Sequence, residues 1–183
     1  MAEPSFDKIA VVGLGYVGLP LSLQFARSGV TVLGLDVDER KVEALNVGES
    51  YLKHFSSEDI REQLKAGRLE ASTDFSRAKE VEAILICVPT PLDEHREPDL
   101  SFVLDTARSL APHLSKGALV SLESTTYPGT TEDELCKVLE EGSGLMAGED
   151  FYLAYSPERE DPGRTDASVK TIPKVVGGFT ERC

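Results

Sequence analysis

Three glycines in the run VVGLGYVGLP, at Gly13, Gly15 and Gly18, have the spacing that a phosphate-binding turn requires. Gly13 permits a tight turn, Gly15 leaves the backbone open to a pyrophosphate, and Gly18 lets a following helix pack closely on a sheet. Free N–H groups and the helix dipole then favour a phosphate at that helix start. Pro20 suits the first helical turn, where its missing N–H costs little. A second apolar run ends at Asp36, eighteen residues after Gly18. A carboxylate there can accept hydrogen bonds from both hydroxyls of an adenosine ribose and would repel the extra phosphate of NADP, so the pattern points to NAD. Arg40 and Lys41 stand near the adenosine end, and each is equally well read as an exposed helix residue.

Further chemistry is concentrated in three loops. CVPTPLDEHREPD places Thr90 between Pro89 and Pro91, a stiff loop that offers a hydroxyl beside the cofactor groove. ESTTYPGTTEDEL places Ser124 and Thr125 where hydroxyls can orient water, ribose or a reacting alcohol. YSPEREDPG sends an apolar run into two prolines, a glycine and a cluster of charges around Glu158. Other groups have structural explanations. Cys87 reads as a small buried side chain. Thr130 and Thr131, followed by Asp133 and Glu134, form a capping-box pattern for a helix reaching about residue 141. His113 reads as a packing or capping residue near a helix end.

These loops need strands to deliver them. Short apolar runs fall at 8–12, 31–36, 83–88, 118–123, 151–155 and 174–178, with a weaker one at 69–73. Between them lie helical patterns. The clearest, over 99–114, keeps Leu100, Val103, Leu104, Ala107, Leu110, Ala111 and Leu114 on one face, with Asp99 as N-cap. Ser57 is expected to cap a helix over 57–66. Strands alternating with helices indicate an α/β, Rossmann-type doubly wound fold with a mostly parallel sheet. The candidate loops then sit at the carboxyl ends of strands, where such sheets bind ligands. A chain of 183 residues is expected to form one domain spanning 1–183.

The balance of charge narrows the partners. A net charge of -13 repels phosphate polymers and anionic lipid, so neither nucleic acid nor membrane is expected. The start MAEPSFDKIAVVGLG reads as a first strand, not a signal peptide. Three cysteines without CxxC spacing point to a reducing cytoplasm. Histidines at 54, 95 and 113 form no visible metal site.

Taken in order, AVVGLGYVGLPLS, GLDVDERKVEALNVGES, CVPTP, ESTTYPGTT, YSPEREDPG and KVVGG resemble the amino-terminal half of the UDP-sugar 6-dehydrogenases. GESYLKHFSSEDI with SPEREDPG most resembles the branch acting on UDP-N-acetylhexosamines, notably UDP-N-acetylglucosamine. The resemblance implies oxidation of a sugar hydroxymethyl group to a carboxylate with two NAD, for surface polysaccharide precursors. It implies cofactor contacts at Gly13, Gly15, Tyr16, Val17 and Gly18, at Asp36 and Lys41, and at Val88, Pro89, Thr90, Ser124 and Thr125. It gives Thr125 a further role in positioning water or an oxyanion, and puts Glu158 against the sugar nucleotide, ordering the catalytic water. UDP-glucose dehydrogenases carry a second glutamate where this sequence has Pro162, which favours the amino-sugar branch.

The family's thiol nucleophile, its lysine and asparagine partners and its central dimer-forming helices fall beyond residue 183, and Cys183 lacks the nucleophile's glycine-rich context. The resemblance therefore implies a cofactor-binding domain unable to turn over alone, belonging to a homo-oligomer at full length. A short-chain dehydrogenase would need Tyr-x-x-x-Lys, which no tyrosine here provides. A non-catalytic NAD-sensing or interaction module is the alternative of a different class.

Overall fold

The computed structural model describes residues 6–53, 55–92, 94, 96–157 and 174–183. Five parallel strands carry the centre of the sheet: β1 (Lys8–Val12), β2 (Thr31–Leu35), β3 (Leu69–Ser72), β4 (Ala83–Ile86) and β5 (Leu119–Leu122). A sixth parallel strand, β6 (Tyr152–Tyr155), follows β5, and a two-residue antiparallel strand, β7 (Gly177–Gly178), closes that edge. The order is β3-β2-β1-β4-β5-β6-β7. This is the doubly wound arrangement, with the direction of winding reversing between β1 and β4. All seven runs expected as strands pair, although the last is ordered as strand only at its two glycines, leaving Val175 and Val176 exposed.

Burial on both faces explains why these strands read as continuous apolar runs. On one face Ile9, Val11, Ala83, Leu85 and Cys87 pack beneath α1 (Gly18–Arg27) through Leu19, Leu23 and Ala26. On the other, Ala10, Val12, Ile84, Ile86, Val120 and Leu122 meet Val103, Ala107 and Leu110 of α4 (Ser101–Leu110) and Leu139 of α5 (Cys136–Ser143). Two further helices, α2 (Glu39–Asn46) and α3 (Ser57–Lys65), complete the α1 side.

Local chemistry corrects three expected caps. α3 is capped by Ser56, whose Oγ accepts from Asp59 N at 3.3 Å, whereas Ser57 Oγ accepts from Ser50 N at 3.0 Å and so ties the preceding loop to the helix. The capping box at Thr130 does not form. Gly129, at φ 96°, opens a π-helical turn over Thr130–Leu135, and the Thr130 hydroxyl donates back to Tyr127 O at 2.9 Å. The wider turn removes the register in which a threonine could reach the amide three residues on. The N-cap of α4 is Leu100, not Asp99, which stands one residue earlier and accepts from Ser101 N at 2.8 Å. The helix tightens to a 3-10 turn at Ala111–His113 before the expected end at 114.

Candidate functional site: a dinucleotide crevice

At the carboxyl end of the sheet, where the winding reverses, a crevice of about 1110 Å³ runs from the β1 turn to the loop after β5. Its floor is the glycine turn, and crowding there explains two of the three glycines. A Cβ at Gly13, which has φ +90°, would lie 2.8 Å from Cys87 O, and a Cβ at Gly18 would lie 1.8 Å from Gly13 O. At Gly15 a Cβ would meet no atom within 4 Å, so the missing side chain keeps open a space that the protein does not fill. Gly13 N donates to Leu35 O at 2.8 Å, which pins the turn to β2. No side chain caps α1, and no acid occupies its first turn. Its amino-terminal amides therefore keep their affinity for an anion.

Asp36 follows β2 and is 4% exposed. Its Oδ2 accepts from Leu14 N at 2.8 Å and from Lys41 Nζ at 3.0 Å, and its Oδ1 accepts from Asp38 N at 2.9 Å. Two carboxylate oxygens offer about four lone-pair directions. One remains open on Oδ1, and a swing of Lys41 would open another on Oδ2, enough for two ribose hydroxyls. Arg40 instead pairs with Asp38 at 2.9 Å on the surface and holds that carboxyl below its usual range. Tyr51 closes the same corner, donating its hydroxyl to Leu14 O at 2.5 Å. Burial, then the charges of Asp36 and Asp38, push its phenol above the ordinary value.

The β4 and β5 loops are laced together. Thr90 Oγ1 donates to Thr125 O at 2.7 Å, and the buried Ser124 Oγ donates to Val88 O at 2.7 Å. These two hydroxyls spend their hydrogens on holding the wall in shape and keep their oxygen lone pairs for a ligand. Thr125 is exposed at the same place and lines the crevice. Gly13, Gly15, Tyr16, Val17, Asp36, Lys41, Val88, Pro89, Thr90, Ser124 and Thr125 all line this one space, while Gly18 is buried and does not line it. Glu158 lies outside the described residues.

Tyr51, Glu123, and Phe102 and Thr106 of α4 also line the crevice, and sequence reading did not assign them to the site. Tyr51 lies in a loop without periodicity. Glu123 had one visible signal, an acid closing an apolar strand. Phe102 and Thr106 fall off the apolar stripe of α4, and only the approach of that helix to the β1 end brings them in.

A glycine turn at a helix start, an acid closing the second strand and a crevice at the winding reversal define a dinucleotide-binding Rossmann domain. The chain belongs to the UDP-glucose/GDP-mannose dehydrogenase family, whose NAD binding domain matches residues 7–183. It is 39% identical over 173 residues to UDP-N-acetyl-D-glucosamine 6-dehydrogenase of Pseudomonas aeruginosa, covering 94% of this chain and 40% of the relative. It is 38% identical over 176 residues to UDP-N-acetyl-D-mannosamine dehydrogenase of Pyrococcus horikoshii, covering 96% of this chain and 42% of the relative. Among solved structures, an NDP-N-acetyl-D-galactosaminuronic acid dehydrogenase from Methanosarcina mazei Go1 superposes with a TM-score of 0.89 at 41% identity, over 97% of this chain and 40% of that one. The chain thus spans about two fifths of the length of the relatives it matches. Among the described residues no helix is long and apolar enough to cross a membrane.

Proposed function

We propose that residues 1–183 form the NAD-binding domain of a 6-dehydrogenase acting on a UDP-N-acetylhexosamine, with UDP-N-acetylglucosamine the favoured substrate. The observation that carries this reading is the pairing of an uncapped glycine turn with a buried Asp36 whose carboxylate still has an acceptor site to offer. NAD, when bound, supplies the hydride acceptor for oxidation of the sugar hydroxymethyl group. The amides after Gly15 hold its pyrophosphate, Asp36 its adenosine ribose, and Thr90 and Ser124 keep the wall beside its reactive ring rigid. Thr125 positions water or an oxyanion there, and Glu158 orders the water that becomes the second carboxylate oxygen. The names of the three relatives given above, each an enzyme of a UDP- or NDP-amino sugar or its uronic acid, support the choice of branch.

Isothermal titration tests the site. NAD is expected to bind this chain with a 1:1 stoichiometry and more tightly than NADP, and no heat of binding at millimolar NAD would overturn the reading.

A further inference from the structure

The contacts proposed above leave one buried charge at the crevice unexplained. Glu123 ends β5, immediately before Ser124 and Thr125, and lines the crevice with its side chain only 2% exposed. Its Oε1 accepts from Ser121 Oγ at 2.7 Å, and its Oε2 receives Lys174 Nζ. Lys174 comes from 51 positions away and keeps 36% of its side chain in solvent. A carboxylate at this depth is expensive to bury for packing alone. The pair is lopsided: its negative end is sealed in the protein beside the Ser124–Thr125 loop, and its positive end is partly screened by water.

We propose that Glu123 is a charge-selecting residue that favours the oxidised, cationic nicotinamide over the reduced, neutral one, with Lys174 setting how much of its charge the crevice feels. The inference rests on the reading above, in which the nicotinamide end lies beside Thr125. The oxidised ring carries a positive charge that the reduced ring lacks, so a fixed buried carboxylate near it acts on one form and not the other. The contacts proposed at the glycine turn and at Asp36 would be common to both forms. Release of the reduced cofactor would thereby be assisted without loosening the grip on the adenosine half. A residue that merely supported the loop would change both affinities together.

The test is the ratio of dissociation constants for NADH and NAD, measured by calorimetry and NADH fluorescence on this chain, on Glu123→Gln and on Lys174→Met. Thermal melts show whether each variant is folded. E123Q, which keeps shape and one hydrogen bond, is expected to weaken NAD at least threefold more than NADH. K174M is expected to move the ratio at least threefold the other way at pH 8. Should E123Q not fold, K174M decides alone. A folded variant that leaves the ratio within threefold, or moves it in the wrong direction, overturns the inference. Wild-type protein that binds neither form overturns the site reading itself, a separate outcome.

Discussion

In the proposed reading, cofactor choice turns on Asp36. Replacing it with Ala would remove the proposed acceptor for the ribose hydroxyls and strand Leu14 N, which now donates to it at 2.8 Å. Hydrogen bonds to a charged group contribute about 1.5–3 kcal/mol, so NAD affinity in D36A should fall roughly 10- to 100-fold. Lys41, freed from its 3.0 Å contact, would face a ribose 2′-phosphate without an opposing carboxylate. The preference for NAD over NADP should therefore narrow or invert, which parallel titrations with the two cofactors would detect. A preference that stays at the wild-type value would show that Asp36 does not discriminate. The glycines were legible because their demand is steric and local: Gly18 must abut Gly13 O wherever this turn forms. The hydroxyls were less so, because nothing in the sequence shows that Thr90 and Ser124, while lining the crevice, also donate to carbonyls of the neighbouring loop.

Among elements, the amino ends of the strands carry a charge network far from the crevice. Lys8 of β1 reaches Glu80 at 2.8 Å and Glu70 of β3 at 3.2 Å, and Arg77 reaches Glu70 at 2.8 Å and Glu80 at 2.9 Å. Glu80 and Arg77 lie on the 3-10 turn Phe75–Glu80 that leads into β4, so the network ties β1, β3 and that turn together. Hydrogen bonds from Arg77 and then Lys8 hold the Glu80 carboxyl down to about 2, from an ordinary 4.5. A depressed carboxylate contributes stability that is complete above its unfolded value and is lost as pH falls through its folded one. Melting temperature should therefore drop between pH 4.5 and 2. E80Q should flatten that part of the curve while lowering the plateau near neutrality, and an unchanged acid slope in E80Q would rule this network out as its source. Element types were legible in the sequence from the period of the apolar residues. The caps were harder, because Ser56 and Ser57 are chemically equivalent until the approach of Ser50 assigns one to the helix and the other to the loop.

For the molecule as a whole, the chain spans about two fifths of its relatives, and the resemblance puts their thiol nucleophile beyond residue 183. The chain alone should bind NAD yet yield no NADH above background with UDP-N-acetylglucosamine or UDP-N-acetylmannosamine, followed at 340 nm. Sustained turnover would place the chemistry within these 183 residues and refute that assignment. Cys136 is no candidate nucleophile, being buried in the α5 side of the core with its thiol pushed up to about 11, chiefly by burial. What the sequence by itself determined was local: the period of each apolar run, the steric need for glycine in the first turn and the acid at the end of the second strand. The tertiary structure alone decided which side chains share a space. It carried Tyr51 onto Leu14 O across 37 positions and Lys174 onto Glu123 across 51. Contacts of that span depend on the order of strands in the sheet and on how the helices close over it, and neither leaves a periodic trace in the chain.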